Sequence, residues 1–137
     1  MDRYLLDTHI ALYLMTDSNE LERDIREILD DYNNLLYIST VSVQEMVFLK
    51  KRNRVKLPWK KPEDTLTAMD SMNLQLLPVK REHLETFARL TIPESHYDPN
   101  DHVIISQAIT EKMRLVSSDR QFENYTSQKL RLLFNQR

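Results

Sequence analysis

The sequence predicts an α/β fold, a single-domain three-layer sandwich in which helices flank a mostly parallel sheet of four or five strands. Three observations carry that expectation. Short apolar runs alternate with segments of helical apolar spacing along the whole chain. The 137 residues suit one domain, since domains cluster at about 100–150 residues and bury roughly 68–70% of their unfolded surface at this size. No repeat, low-complexity tract or linker divides residues 1–137.

Arg3–Leu6 reads as a first strand ending at Asp7, and Thr8–Met15 as a short helix. Ser18 is placed to cap a second helix, on which Leu21, Ile25, Ile28, Leu29 and Tyr32 recur at helical spacing. Asn33-Asn34 is its expected stop, because asparagine substitutes for glycine in a left-handed cap. A second strand over Leu35–Ile38 leads into a helix over Val41–Arg52, then a basic loop, Asn53–Pro62, broken by Pro58 and Pro62. Next come a helix over Glu63–Met72, a strand over Leu74–Val79, a helix over Arg81–Leu90 and a loop over Thr91–Tyr97. Asp98-Pro99 opens a long helix reaching Met113, with proline at its first position. Leu115–Ser117 is a fourth strand, Gln121–Tyr125 a helical turn, and Leu130–Phe134 an edge strand.

Composition removes several functions. The chain has no Cys, which excludes a disulfide framework, a thiol nucleophile and Cys-ligated metal. It has no Gly, which excludes phosphate loops and dinucleotide fingerprints, where backbone must approach phosphate closely. No run approaches the ~20 apolar residues of a membrane span. The N-terminal residues do not resemble a signal peptide either, so a soluble, cytoplasmic protein without membrane contact is expected. Nineteen basic and 21 acidic side chains give a formal charge of −2, so polyanion affinity must come from a local patch or from metal ions.

In open parallel sheets the working site lies beyond the carboxyl ends of the strands, where strand order reverses. Four acids fall there: Asp7, Glu45, Asp101 and Asp119. Three of them, and neighbouring Asp98, have a plain structural explanation. Asp7 suits an N-cap, Ser42-x-x-Glu45 fits a capping box, Asp98 caps the long helix, and Asp119 suits a turn. Asp101, however, aligns with Ile104, Ile105 and Ala108, the face expected to pack on the sheet. Four converging carboxylates repel one another and are tolerable near neutral pH only with cations. Hard oxygen ligands point to Mg²⁺ or Mn²⁺, one or two ions. Two ions would turn the formal −2 into about +2 and supply a local pull on phosphate.

Four pieces of the sequence, in this order, resemble the PIN-domain nucleases: Leu5-Leu6-Asp7-Thr8-His9, Ser39-Thr40-Val41-Ser42-Val43-Gln44-Glu45, Asp98-Pro99-Asn100-Asp101-His102-Val103-Ile104-Ile105-Ser106-Gln107-Ala108, and Leu115-Val116-Ser117-Ser118-Asp119. Together with the basic stretch Lys51–Pro58 they are similar to the VapC-like toxins of type II toxin–antitoxin pairs. The resemblance implies that Asp7, Glu45, Asp101 and Asp119 bind the metal, and that Ser117 stands where the family often has threonine. It also implies Mg²⁺- or Mn²⁺-dependent cleavage of single-stranded RNA, a small antitoxin partner, and a homodimer. Asn53, Tyr97, Asn100 and His102 depart from residues common in that branch, at positions that bear on substrate and antitoxin contacts.

Thr8, Ser117 and Asp98 are candidate supporting residues, although each also suits a helix cap. His9, His96 and His102 read as surface or core histidines rather than general bases. Lys50, Lys51, Arg52, Arg54 and Lys56, with Lys60, Lys61 and Trp59 beyond them, form a possible RNA path or simply a solvated helix end. The acidic stretch Asp17–Asp31 reads as an exposed face, with Leu21, Ile25, Ile28 and Leu29 as an alternative antitoxin groove. Two other functions fit the same fold: a phosphoacceptor signalling domain, and a catalytically inactive RNA- or protein-binding module. The first would need paired acids after the first strand and an acceptor Asp after the third, but the sequence has a single Asp7 and Val79-Lys80.

Overall fold

The computed structural model describes residues 2–136; Met1 and Arg137, the ends of the expected 1–137 domain, lie outside the described residues. Five short strands, β1 (Arg3–Leu6), β2 (Leu35–Ser39), β3 (Leu74–Leu77), β4 (Arg114–Ser117) and β5 (Arg131–Phe134), form one sheet. Their order is β3-β2-β1-β4-β5 and every pairing is parallel. The chain steps outward from β1 to β3, then returns to the other side of β1. The reversal point is therefore the seam between β1 and β4.

Side chains alternate across the sheet, so the core divides into two halves. Tyr4 and Leu6 face one layer, made by α1 (Thr8–Met15), α2 (Arg23–Asp30), α3 (Thr40–Lys51) and α4 (Thr65–Ser71) through Ile10, Ile25, Met46 and Met69. Leu5 and Leu115 face the other, where Ile104, Ile105 and Ala108 of α6 (Pro99–Glu111) pack beside Phe122 and Tyr125 of a 3-10 segment, Arg120–Gln128. Helices on both faces explain why the strands are nearly continuous apolar runs. On the outside of α6 lies α5 (Arg81–Arg89), pinned by fully buried His83. The His83 Nδ1 accepts from the Lys80 backbone N–H (2.9 Å), so its proton sits on Nε2 and is donated to Glu111 (2.7 Å).

Several expected boundaries differ. The second helix begins at Arg23, not Ser18, whose hydroxyl instead accepts from the Glu20 N–H in a turn. Tyr32 lies past the end of α2 and is 94% exposed. Asn33-Asn34 supplies no left-handed cap; the Asn34 amide donates to the Ile28 carbonyl (2.9 Å) and closes α2 by side chain. The left-handed positions are Asp17, Asn53, Asn73, Lys112 and Lys129. Pro62–Asp64 is a separate 3-10 turn ahead of α4, and β3 stops at Leu77 rather than Val79. Leu21, Ile25 and Leu29 are buried in the protein's own core with Ile28 packed against it, so these side chains are spent on the fold. No helix among the described residues is long and apolar enough to cross a membrane.

Candidate functional site

Asp7 emerges where β1 ends and α1 begins. Its N–H extends the ladder to the Val116 carbonyl (3.0 Å), one step past the registered pair Leu6 and Val116, which sets Asp7 level with Ser117. Oδ1 accepts from the Thr8 N–H (2.8 Å), and Oδ2 accepts from the Ser117 hydroxyl (2.8 Å). Ser117 in turn accepts from the Asp119 N–H (3.0 Å), so one buried hydroxyl ties two of the acids together. The cap role of Asp7 and its place at the sheet's reversal point are the same geometry.

The capping box expected at Ser42 and Glu45 is not formed. Helix α3 starts at Thr40, one residue before the expected Val41, with Ser39 as its cap accepting from Val41 N–H (3.2 Å). Ser42 is buried inside the helix and accepts from the Thr8 hydroxyl (2.9 Å). Glu45 therefore has no helix end to close. Half-buried, it makes no hydrogen bond or ion pair among the described residues and faces the cleft that Asp7 lines.

Asp98 caps α6, accepting from the Asn100 N–H (3.0 Å). Asp101, one turn into the helix, accepts from His96 Nε2 (3.0 Å). Asp119 accepts from the Gln121 N–H (2.9 Å) and opens the 3-10 segment. One ligand atom each from His96, Asp101 and Asp119 lies within 4.8 Å of the others.

These residues meet in a cleft of about 310 Å³ at the carboxyl end of the sheet. Asp7, Glu45, Asp98, Asp101 and Asp119 line it with Thr8, His9, Tyr13 and Ser118; no lysine or arginine is among the lining residues. Burial pushes the Asp7 carboxyl from 3.8 up to about 6, against the Ser117 hydrogen bond and with help from the Asp101 charge. Burial likewise raises Asp101, opposed by the hydrogen bond from His96, with Asp98 and Asp119 adding repulsion. The donor set fits a hard divalent cation: several oxygens, no thiol, two carboxyls whose pKa is raised by burial, and no lysine or arginine lining the cleft.

The remaining candidates fall outside the cleft. Lys51, Arg52, Arg54 and Lys56 are exposed and Lys50 half-buried, all at or beyond the far end of α3. Trp59 does not stand among them as a free ring: it packs on the core, and its indole donates to Thr65 (3.0 Å). An exposed aromatic beside the basic run is Phe48, with the Arg52 guanidinium 5.2 Å over its ring. His102 is buried, as a core histidine should be, and burial lowers its pKa. His96 is buried too, but behind the cleft against Asp101, a role its sequence neighbourhood did not signal. Asn135 was equally unforeseen. Fully buried, it bonds Glu22 N–H, the Glu20 carbonyl and Ser118, closing the C-terminal segment over the edge of the site.

Comparison with solved structures finds the same fold over essentially the whole chain. It is similar to a chain of VapBC2 from Rickettsia felis bound to a promoter DNA fragment, with 22% identity, a TM-score of 0.68, and 97% of this chain and 98% of that one covered. It is also similar to DNA-bound VapBC from Salmonella typhimurium, with 19% identity, a TM-score of 0.70 and 98% of both chains covered. VapBC-5 from Mycobacterium tuberculosis, a member of the VapBC family of toxin–antitoxin systems, gives 17% identity, a TM-score of 0.65, and coverage of 98% and 99%. No curated protein matches the chain. The family model of the PIN domain matches residues 4–127, and the chain belongs to the PIN-domain family.

Proposed function

We propose that this PIN domain is a metal-dependent endoribonuclease that hydrolyses phosphodiester bonds of single-stranded RNA, acting as the toxin of a toxin–antitoxin pair. The observation that carries the proposal is the cleft itself: five carboxylates face it and no lysine or arginine lines it. Asp7, Glu45, Asp101 and Asp119 would hold one or two Mg²⁺ or Mn²⁺ ions. Such ions lower the pKa of water and neutralise charge developing on the phosphate.

The chain's own contribution is placement. Ser117 holds Asp7 in one rotamer while taking the Asp119 N–H, and Thr8 is steadied through Ser42. Asp98 lies at the rim as a supporting acid, exposed and occupied with its cap. Lys50, Lys51, Arg52, Arg54 and Lys56 extend from the helix that bears Glu45 and offer phosphates a path. Serines 42 and 117 are buried and hydrogen-bonded, which suits them to support rather than to covalent attack.

A small antitoxin belongs to the same reading, supported by fold neighbours that are VapBC complexes. So does a homodimer: the exposed Phe48, Leu66 and Leu76 border an apolar groove of about 400 Å³ that a second copy would cover. The phosphoacceptor alternative lacks its acceptor, because β3 ends at Leu77 and Pro78-Val79-Lys80 follow it.

Labelled single-stranded RNA incubated with Mg²⁺ or Mn²⁺ should be cut, and EDTA, Asp7→Asn or Glu45→Gln should each abolish cutting. Persistent cutting by Asp7→Asn overturns the proposal. RNA binding without cleavage in the wild type would favour the inactive binding module instead.

A further inference from the structure

Behind the cleft, three side chains from separate elements are joined in a line. Tyr125, in the 3-10 segment, is fully buried, and its hydroxyl lies 2.7 Å from His96 Nδ1. His96, in the loop before α6, is 3% exposed, and its Nε2 lies 3.0 Å from Asp101 Oδ2. A carboxylate oxygen only accepts, so in the neutral imidazole the proton sits on Nε2 and Nδ1 accepts from the tyrosine hydroxyl. The order of donation is fixed: Tyr125 to His96 to Asp101. The His96 loop is itself anchored, since His102 Nε2 donates to the His96 carbonyl (3.0 Å) and the two rings meet edge to face at 4.7 Å.

We propose that His96 is a positioning residue for Asp101, its tautomer set by Tyr125, so that Oδ2 is held and Oδ1 is presented to a divalent cation in the cleft. The inference rests on the metal-dependent reading above. Oδ1 of Asp101 has no hydrogen-bond partner among the described residues, and Asp101 lines the cleft. His96 is close enough to Asp101 and Asp119 to be considered a ligand. Both of its nitrogens are committed, however, and a ligating nitrogen needs a free lone pair. The ring therefore orients a ligand rather than serving as one, the arrangement by which outer partners tune metal sites.

The test measures Mn²⁺ affinity by calorimetry, with a readout independent of cleavage: the ¹⁵N–¹H signals of the His96 ring. His96→Phe, which keeps a flat ring but loses both nitrogens, should weaken Mn²⁺ binding about 10–100-fold, whereas His96→Gln, which keeps a donor, should stay within about threefold of wild type. Tyr125→Phe leaves the packing in place and should release the tautomer, adding an Nδ1–H population and weakening Mn²⁺ measurably. This keeps the test decisive if His96→Phe does not fold. Wild-type Mn²⁺ binding unchanged by His96→Phe and Tyr125→Phe overturns the inference alone. Loss of the Nε2–H signal on Mg²⁺ addition also overturns it, making His96 a ligand. Absence of Mn²⁺ binding by the wild type overturns the metal-dependent reading, and the inference with it.

Discussion

The Ser117 hydroxyl donates to Asp7 Oδ2 at 2.8 Å, joining the ends of two neighbouring parallel strands that are 110 positions apart in the chain. The bond is buried, and its acceptor is the most desolvated acid of the cleft. Ser117→Ala should destabilise the protein by about 1.5–3 kcal/mol near pH 8, the range for hydrogen bonds to charged groups. The loss should shrink at pH 5, where Asp7 is protonated. Urea denaturation at the two pH values checks this; equal losses at both would mean that Ser117 acts only through packing.

Asp7 also makes metal-free stability depend on pH. Its folded pKa is raised from 3.8 to about 6, so between those values the native state holds a proton that the unfolded chain has released. The associated stability is complete below pH 3.8 and is lost as pH rises through about 6. A shift of about two units corresponds to roughly 3 kcal/mol at most. In EDTA, Asp7→Asn should therefore lack this decline and melt higher than wild type at pH 8. Mg²⁺ should stabilise the wild type and leave Asp7→Asn nearly unmoved. Asp101→Asn should also raise the metal-free melting temperature, because burial raises that carboxyl as well. Scanning calorimetry across pH 4–8, with and without Mg²⁺, reads all three.

Lys51, Arg52 and Arg54 are exposed and form no ion pair with an acidic side chain among the described residues. If each contacts a phosphate of single-stranded RNA, replacing all three with alanine should reduce the slope of log K against log salt by about 2, at roughly 0.7 per contact. Folding stability should change by under about 0.5 kcal/mol, as expected for surface positions. Filter binding at several salt concentrations, in EDTA to prevent cutting, measures the slope. An unchanged slope assigns the run to helix-end solvation.

Asn135 bonds three groups through its side chain while its own N–H donates to the Ser117 carbonyl (2.8 Å). Asn135→Ala leaves the Glu22 N–H and the Ser118 hydroxyl without this partner, and should cost about 2–4 kcal/mol in chemical denaturation. Because Ser118 lines the cleft, Mn²⁺ affinity should fall as well.

What sequence revealed and what it hid follow from contact range. The strands, the long α6 and the four cleft acids are legible because alternation, caps and apolar periodicity are local patterns. The start of α3 was misplaced because Ser39, Thr40 and Ser42 are all competent caps, and only the Thr8 hydroxyl decides what Ser42 does. Leu21, Ile25 and Leu29 also read as an alternative antitoxin groove, since periodicity shows that a face is covered and not by what. His96 left no clear trace because a His and an Asp five positions apart match no helical or capping pattern, and its other partner, Tyr125, lies 29 positions away. Asn135 left none because its partners lie 17 to 115 positions away.

With no glycine to spend, the backbone bends left-handed at Asp17, Asn53, Asn73, Lys112 and Lys129. Such corners cost a side-chain-bearing residue roughly 1–2 kcal/mol in the folded protein. The same absence limits how far the denatured chain can wander, by about 0.4–1 kcal/mol for each glycine avoided. Lys112 precedes β4 and Lys129 precedes β5, the strands that deliver Ser117 and Asn135. Rigidity at those corners is thus bought partly in the unfolded ensemble, where no list of native contacts would register it.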